Sequence, residues 1–414
     1  MSTDHEFDTI VIGAGPAGST TAALLAEQGL RVVVLEKEKF PRYHIGESLL
    51  PFTSYPLRRL GLLDRMRRSE FVKKYSVQFV SSSGRASQPF YFSTRYAPDV
   101  AQTWQVLRSE FDLMLMENAR AKGAEVLEET TVEELLQEDG RTVGVRARSK
   151  SGQGLQFHAA MTVDCSGRDA IAPTRLNWRI REPKLNKVAV WTYYRGVLRD
   201  AGLDAGATTV AYVPEKGWFW YIPQHRDMVS VGVVAEGKYL TRGGVREPEQ
   251  IFQREVGQNA WIQDHLACGK PVEPYRLTSE FSWRSRYSAA DGLLLAGDAF
   301  GFLDPVFSSG VMLALKSGSL AADAITEAFQ AQDFSAERFT EYSRTLREGL
   351  ENMRKLVYAF YDQGFSFRKL TDKYPDLAGD ITDCLSGDVN KDFSRLYANR
   401  RRPLQSRPLQ RKRG

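Results

Sequence analysis

A glycine triplet and a following acid carry the first chemistry of this 414-residue chain. Gly13-x-Gly15-x-x-Gly18 gives a tight turn, a close backbone approach to a pyrophosphate and close helix–strand packing. A helix opening at that point turns its unpaired N–H groups toward phosphate. Glu36 stands eighteen residues past the last glycine, at a strand end, placed to accept ribose hydroxyls. Alone, this fingerprint specifies a flavin or nicotinamide dinucleotide and no reaction. Arg108, just ahead of a predicted helix, reads equally as a surface arginine or as a phosphate or ribose contact. Much later, Gly297-Asp298 follows an apolar run, at the carboxyl end where open α/β sheets bind ligands. There Asp298 would accept a hydrogen bond from the polyol chain of a flavin. Val306-Phe307-Ser308-Ser309-Gly310 then opens a helix whose N–H groups can face a flavin pyrimidine and a small anion. Ser309 also reads as a plain N-cap, and both roles are compatible.

These residues need rigid elements behind them. The β-branched run Phe7–Ile12, an alanine-rich helix to about Gln28 and a strand from Arg31 to Leu35 make a βαβ unit. Glu110–Lys122 has amphipathic helical spacing, and Val143–Arg148 and Phe157–Val163 read as strands. From Lys187 to about Phe281 the pattern changes. Val188–Tyr194, Thr208–Val213, Trp218–Ile222 and Val229–Val234 are alternating or β-branched runs between polar turns, the mark of a mostly antiparallel sheet. Leu293–Ala296 reads as a buried strand and Ser309–Phe329 as a long helix, with helical spacing again over Ala336–Tyr361 and Leu377–Leu385. The fold class expected is α/β: a doubly wound, Rossmann-type domain with an inserted β-sheet substrate domain and a C-terminal helical segment. Residues 1–74, 106–186 and 285–335 would form the dinucleotide domain, 75–105 and 187–284 the substrate domain, 336–399 the helical segment and 400–414 a basic flexible tail.

Composition narrows the setting. The net charge of +5 arises in the tail, whose seven basic residues leave the remainder near −2. That tail reads as a solvated end or as a contact for an acidic partner, and nothing else suggests nucleic acid. Three cysteines at unrelated spacing (Cys165, Cys268, Cys384) argue against a disulfide framework or a structural zinc site. No apolar run reaches membrane-span length, and the polar, acidic start does not resemble a signal peptide, so a cytoplasmic protein is expected.

Taken together, the motifs resemble the flavin-dependent halogenases within the FAD monooxygenases, from about Phe7 to Ala324. His44-Ile45-Gly46-Glu47-Ser48-Leu49-Leu50-Pro51, Asp164-Cys165-Ser166-Gly167-Arg168 and Asp304-Pro305-Val306-Phe307-Ser308-Ser309-Gly310 look more like halogenases than like aromatic hydroxylases. Trp218-x-Trp220-x-Ile222-Pro223 matches the halogenase signature in full. The resemblance implies FAD contacts at Gly13, Gly15, Ala17, Gly18, Glu36, Lys37, Ser48, Arg108, Asp298, Gly310 and Val311. It implies a halide pocket at Ser309 and Gly310, and a tunnel walled by Trp218, Trp220, Ile222 and Pro223. Its catalytic lysine falls on Lys74 within Phe71–Phe79, with Lys73 as the fallback, and Ser308 lies on the route from flavin to lysine. The implied reaction uses reduced FAD, oxygen and chloride or bromide to make hypohalous acid, which Lys74 holds for electrophilic attack on an aromatic carbon. A haloamine would require neutral lysine, and burial lowers a lysine pKa.

Two departures matter. The tryptophan-specific halogenases have a glutamate where this chain has Phe307, which points to the branch acting on phenols or pyrroles, free or on a carrier protein. Ser76 replaces a usual glycine beside the lysine. No second glycine fingerprint is present for a nicotinamide, so a separate flavin reductase is the expected partner. The competing reading is an FAD-dependent monooxygenase or prenyl-chain reductase on the same scaffold.

Overall fold

The computed structural model describes residues 3–279, 282–362 and 367–398; the basic tail and the expected boundary at Phe281 lie outside them. The first strand, Thr3–Ile12, is the axis of a sheet ordered Ala289–Ala290, Leu293–Leu295, Gly154–Asp164, Thr3–Ile12, Val32–Leu35, Glu125–Leu127. Thr3–Ile12 lies parallel to both of its neighbours, and Leu293–Leu295 runs parallel to Gly154–Asp164. Val32–Leu35 is buried at every position, as expected for a strand covered on both faces. The sheet is thus completed by a strand that arrives after the second sheet has been built, as in a doubly wound dinucleotide fold.

Close packing of two helices fixes the ligand end of this layer. Helix Pro16–Glu27 follows the glycine loop directly, with proline in its first turn. It packs on helix Ser309–Ala331 through Thr21, whose hydroxyl donates to the carbonyls of Ala17 and Gly318. A Cβ on Gly318 would sit 2.5 Å from the Ala17 carbonyl oxygen, so only glycine lets the two backbones approach this closely.

The second sheet is mostly antiparallel: Lys270–Pro271, Lys187–Arg195, Met228–Glu236, Trp218–Pro223, Thr208–Tyr212, Ser76–Val80, Phe90–Tyr91. Strand alternation gives it two different faces. Trp218, Trp220 and Ile222 join the large core shared with the dinucleotide layer, while Phe219 and Tyr221 join a separate cluster with Val229, Val231, Val233 and Phe252. A two-stranded ribbon, Val72–Lys74 with Thr103–Gln105, stands apart from both sheets. Helices Thr340–Phe360, Phe367–Lys373, Ala378–Ser386 and Ser394–Ala398 close the described chain. Among the described residues, no helix is long and apolar enough to cross a membrane.

Candidate active site

A cavity of about 550 Å³ runs from the glycine loop to the inner face of the second sheet. At one end it is bordered by Gly13, Gly15, Pro16, Ala17, Glu36 and Lys37. Gly13 has φ +93°, and a Cβ there would meet the Cys165 carbonyl oxygen at 2.7 Å. A Cβ on Gly18 would lie 1.9 Å from the Gly13 carbonyl oxygen, which explains why Gly18 serves helix–strand packing and does not itself line the cavity. Gly15 is different: its nearest outside atom is Arg42 Nη2 at 3.6 Å, leaving a cradle of ligand size. Glu36, almost fully buried, accepts the Ala14 N–H at 2.8 Å and the Glu38 N–H at 2.9 Å. Its carboxylate therefore shapes the loop as well as facing the cavity. Lys37 is half-exposed and pairs with Asp169 at 2.6 Å.

Arg108 is the first residue of helix Arg108–Ala121, which starts two residues earlier than its sequence reading, and is buried. It grips Asp112 with two N–H groups at 2.7 and 2.9 Å and reaches the carbonyls of Ile45 and Gly46 at 2.8 and 3.2 Å. Its main bonds thus fix the His44–Pro51 loop, while its edge still borders the cavity. Asp298 faces the same space. Burial raises its carboxyl to about 6, against the opposing pull of Arg108 and Arg168.

The start of helix Ser309–Ala331 departs from its sequence reading. The N-cap is Ser308, not Ser309, and neither side chain caps the helix. Ser308 holds the left-handed conformation (φ 54°, ψ 25°), which disfavours a non-glycine residue by about 1–2 kcal/mol. That strain turns Ser308, Gly310 and Val311 toward the cavity while Ser309 is buried outside it. The helix-terminal N–H groups left without side-chain caps provide the favourable end for an anion.

Trp218 and Trp220 form the far wall, their ring centroids 6.2 Å apart, with Ile222 beside them. Pro223 does not reach the cavity lining. Gly232 makes room for the second tryptophan: it pairs with Trp220 in register, and a Cβ there would fall 2.2 Å from the indole. Trp218 Nε1 donates to the Tyr361 hydroxyl at 2.9 Å, and Tyr361 donates to Asp304 at 2.9 Å. Lys187 lies 4.0 Å above the Tyr361 ring. Burial pushes the Asp304 carboxyl up to about 7, although Val306 N–H, Tyr361 and Lys187 all favour its charge.

Lys74 is completely buried, whereas its neighbour Lys73 faces solvent, as alternation along a strand requires. Lys74 Nζ donates to Ser48 Oγ at 2.8 Å and to the Leu49 carbonyl at 3.1 Å, and lies 5.6 Å from the Phe92 ring centroid. Burial, uncompensated by a charged partner, lowers its pKa to about 7. Lys74 is not itself a lining residue; Ser48 and Thr208 stand between it and the cavity. Ser76, in place of glycine, is accommodated in a strand and donates to Asp204 at 2.7 Å.

Residues 6–345 match the FAD binding domain family. The chain is 30% identical over 409 residues to the 1H-pyrrole-2-carbonyl peptidyl-carrier-protein chlorinase of Pseudomonas fluorescens, covering 93% of this chain and 90% of that protein. It is 31% identical to the corresponding brominase of Pseudoalteromonas luteoviolacea, covering 94% of this chain and 93% of that one. The flavin-dependent brominase Bmp2 superposes with a TM-score of 0.86 at 29% identity, over 95% of this chain and 98% of that one. The chain belongs to the flavin-dependent halogenases.

The halogenase is FAD-dependent, and its residues fit that cofactor. The open cradle at Gly15, the helix start behind it and the acid at the end of Val32–Leu35 would supply pyrophosphate and ribose contacts. In the Phe307 position the halogenase has a ring buried against Phe360 and Phe367, with no charge there. Sequence reasoning missed three lining residues, Thr208, Trp191 and Glu47, and two residues behind the lining, Gln105 and Tyr361. Of these, Trp191 and Thr208 lie in runs already recognised as strands, and only the pairing order of the sheet turns them toward the cavity. Gly232 did carry a signal, since a glycine inside a β-branched strand marks close approach by another group.

Proposed function

We propose that this halogenase chlorinates or brominates an electron-rich carbon of a phenol or pyrrole, free or carried on a carrier protein, and that Lys74 holds the halogen for transfer. The observation that carries the reading is a completely buried lysine with no ionic partner among the described residues, joined by hydrogen bonds to the wall of the FAD cavity. Reduced FAD with dioxygen supplies the two-electron oxidation of halide to hypohalous acid. The helix start at Ser308–Gly310 favours a halide through its N–H groups. Trp218 and Trp220 exclude substrate carbon from the flavin, suppressing direct oxygenation. Near neutral pH, Lys74 is divided between ammonium, which polarises the oxygen of a hypohalous acid, and free amine, which can carry the halogen. The buried Phe307 and its aromatic neighbours suit an uncharged ring and leave no carboxylate there to engage an indole N–H.

The electron source in this reading is a separate flavin reductase, and the working compartment is the cytoplasm. NADH added to the isolated halogenase should reduce FAD slowly or not at all. The reading is tested by mass spectrometry of reactions containing a reductase, chloride or bromide, and a panel of phenols, indoles and pyrrolyl carrier proteins. A halogen isotope doublet on a phenol or pyrrole supports it. Oxygenated product formed equally without halide overturns it and favours the monooxygenase alternative.

A further inference from the structure

Four side chains from separated parts of the chain form one hydrogen-bonded line behind the cavity wall. Lys74 Nζ is 2.8 Å from Ser48 Oγ, and Ser48 Oγ is 2.7 Å from Thr208 Oγ1. Gln105 Nε2 donates to Thr208 Oγ1 at 2.9 Å and to the Gly206 carbonyl at 2.9 Å. The Gly206 carbonyl accepts only, so it fixes the Gln105 amide with nitrogen toward Thr208. Ser48 is held in register by a bridge to Gln105 and by the Leu49 N–H to the Trp104 carbonyl at 3.0 Å. All four side chains are at least nine-tenths buried, yet only Ser48 and Thr208 border the cavity. The two hydroxyls are therefore the polar connection between an enclosed lysine and the space where the reaction occurs.

We propose that Ser48 and Thr208 form a two-hydroxyl proton relay for Lys74, with Gln105 as the residue that positions Thr208. This rests on the reading of Lys74 as the halogen-holding lysine, and it reassigns Ser48 from a flavin contact to a partner of that lysine. A hydroxyl both donates and accepts, so the line can point either way. With Lys74 an ammonium, Ser48 accepts from Nζ and a hydroxyl proton is left for the cavity. With Lys74 neutral, Ser48 donates to Nζ and accepts from Thr208. When hypohalous acid reacts, the carbon–halogen bond forms as the halogen–oxygen bond breaks. The Lys74 ammonium gives its proton through Ser48 and Thr208 to the departing oxygen, which leaves as water. The aromatic carbon releases its own proton to cavity water, and Thr208 then Ser48 pass a proton inward to restore the ammonium. The sum is hypohalous acid plus arene giving haloarene plus water.

The surroundings leave this path to the hydroxyls. On the adjoining elements, the Asp204 carboxylate already takes the hydroxyls of Ser76 and Tyr91 at 2.7 Å each, and Glu47, next to Ser48, accepts from the Tyr193 hydroxyl at 2.6 Å. Thr103, paired with Lys74 across the ribbon, spends its hydroxyl on the Leu50 carbonyl at 3.2 Å. Phe92 and the Leu49 carbonyl, the other neighbours of Nζ, carry no exchangeable proton.

The test compares Ser48→Ala, Thr208→Val and Thr208→Ser with the unsubstituted full chain and with Lys74→Ala. The substrate is whichever panel phenol or pyrrole the unsubstituted enzyme halogenates best. FAD affinity should stay within about threefold in all variants, while kcat falls on the order of tenfold or more in Ser48→Ala and Thr208→Val with KM unchanged. Thr208→Ser, which keeps the hydroxyl, should restore most of the rate. Without substrate or flavin, the 13Cε signal of Lys74, assigned by its loss in Lys74→Ala, should titrate lower in Ser48→Ala by on the order of one pH unit. The sign follows because a partner accepting from the ammonium has been removed. If Lys74→Ala still halogenates, the reading of the lysine itself fails. If Lys74→Ala is inactive but Ser48→Ala and Thr208→Val keep full rate and an unshifted Lys74 titration, the relay alone is overturned. Loss of FAD binding in Ser48→Ala would likewise overturn it, by returning that serine to the flavin.

Discussion

The FAD end of the cavity and the Lys74 enclosure behind its wall are built from different materials. At the FAD end the shape is set by backbone: Gly13 and Gly18 have no room for a side chain, and the helix starts at Pro16 and Ser309 supply N–H groups. At the Lys74 end the shape is set by side chains, with Ser48, Phe92, Gln105 and Thr208 closing around one amine from distant parts of the chain. The first end must tolerate a large charged cofactor and does so with oriented dipoles. The second must keep an amine close to its neutral form and does so by withholding a counter-charge. Backbone-built sites fail when a methyl group is added, and burial-built sites fail or gain stability when polarity is changed.

The largest effect separating the two is expected at Gly18. Gly18→Ala places a carbon 1.9 Å from the Gly13 carbonyl oxygen, a contact that no rotamer can relieve. We expect a loss of about 3 kcal/mol or more in urea unfolding, together with loss of FAD binding by fluorescence titration.

Lys74→Met should do the reverse, raising stability while removing activity. The lysine pKa falls from 10.5 in the open chain to about 7 when folded, so folding penalises the charged amine. Below pH 7 both states are protonated and the penalty is complete. Between about 7 and 10.5 the unfolded chain holds more protons, so the unsubstituted enzyme gains stability with rising pH. Lys74→Met should therefore be more stable by on the order of a few kcal/mol at pH 7 and below, and the gap should close as pH rises toward 10.5. Urea midpoints at pH 6, 8 and 10 check the sign, with Asp304 contributing a slope of opposite sign between about 4 and 7 in both proteins.

How much of this was open to sequence reasoning follows the same division. The FAD end was readable because Gly13, Gly15, Gly18 and Glu36 are close in sequence and each has one backbone reason. The strands and long helices followed from apolar spacing, with ends displaced by one or two residues, as at Ser308 and Arg108. Lys74 was located by resemblance, since a Lys-Lys pair alone reads as a solvated face; only the pleat decides that Lys73 is exposed and Lys74 buried. Thr208, 160 residues from its partner Ser48, had no local mark at all. Nor did Tyr361, whose bond to Trp218 spans 143 residues.

Two smaller changes probe the tryptophan wall of the cavity. Gly232→Ala must push the Trp220 ring aside, and we expect a loss of about 1–3 kcal/mol with a changed indole emission spectrum. Such a displaced wall should also raise the yield of oxygenated by-product relative to halogenated product. Tyr361→Phe removes the link from Trp218 to Asp304 and should lower stability by about 1 kcal/mol, seen as a modest fall in Tm.

The central claim is that transfer of the halogen to carbon depends on Lys74, whereas oxidation of the halide depends on the FAD end. Its most direct test is Lys74→Met assayed with a flavin reductase, bromide and the best panel substrate, with halogenated product and hydrogen peroxide measured in the same reaction. The account predicts unchanged FAD binding and peroxide formation, with halogenated product lower by about 10²–10⁴-fold. Halogenated product at the unsubstituted level from the methionine variant would contradict it.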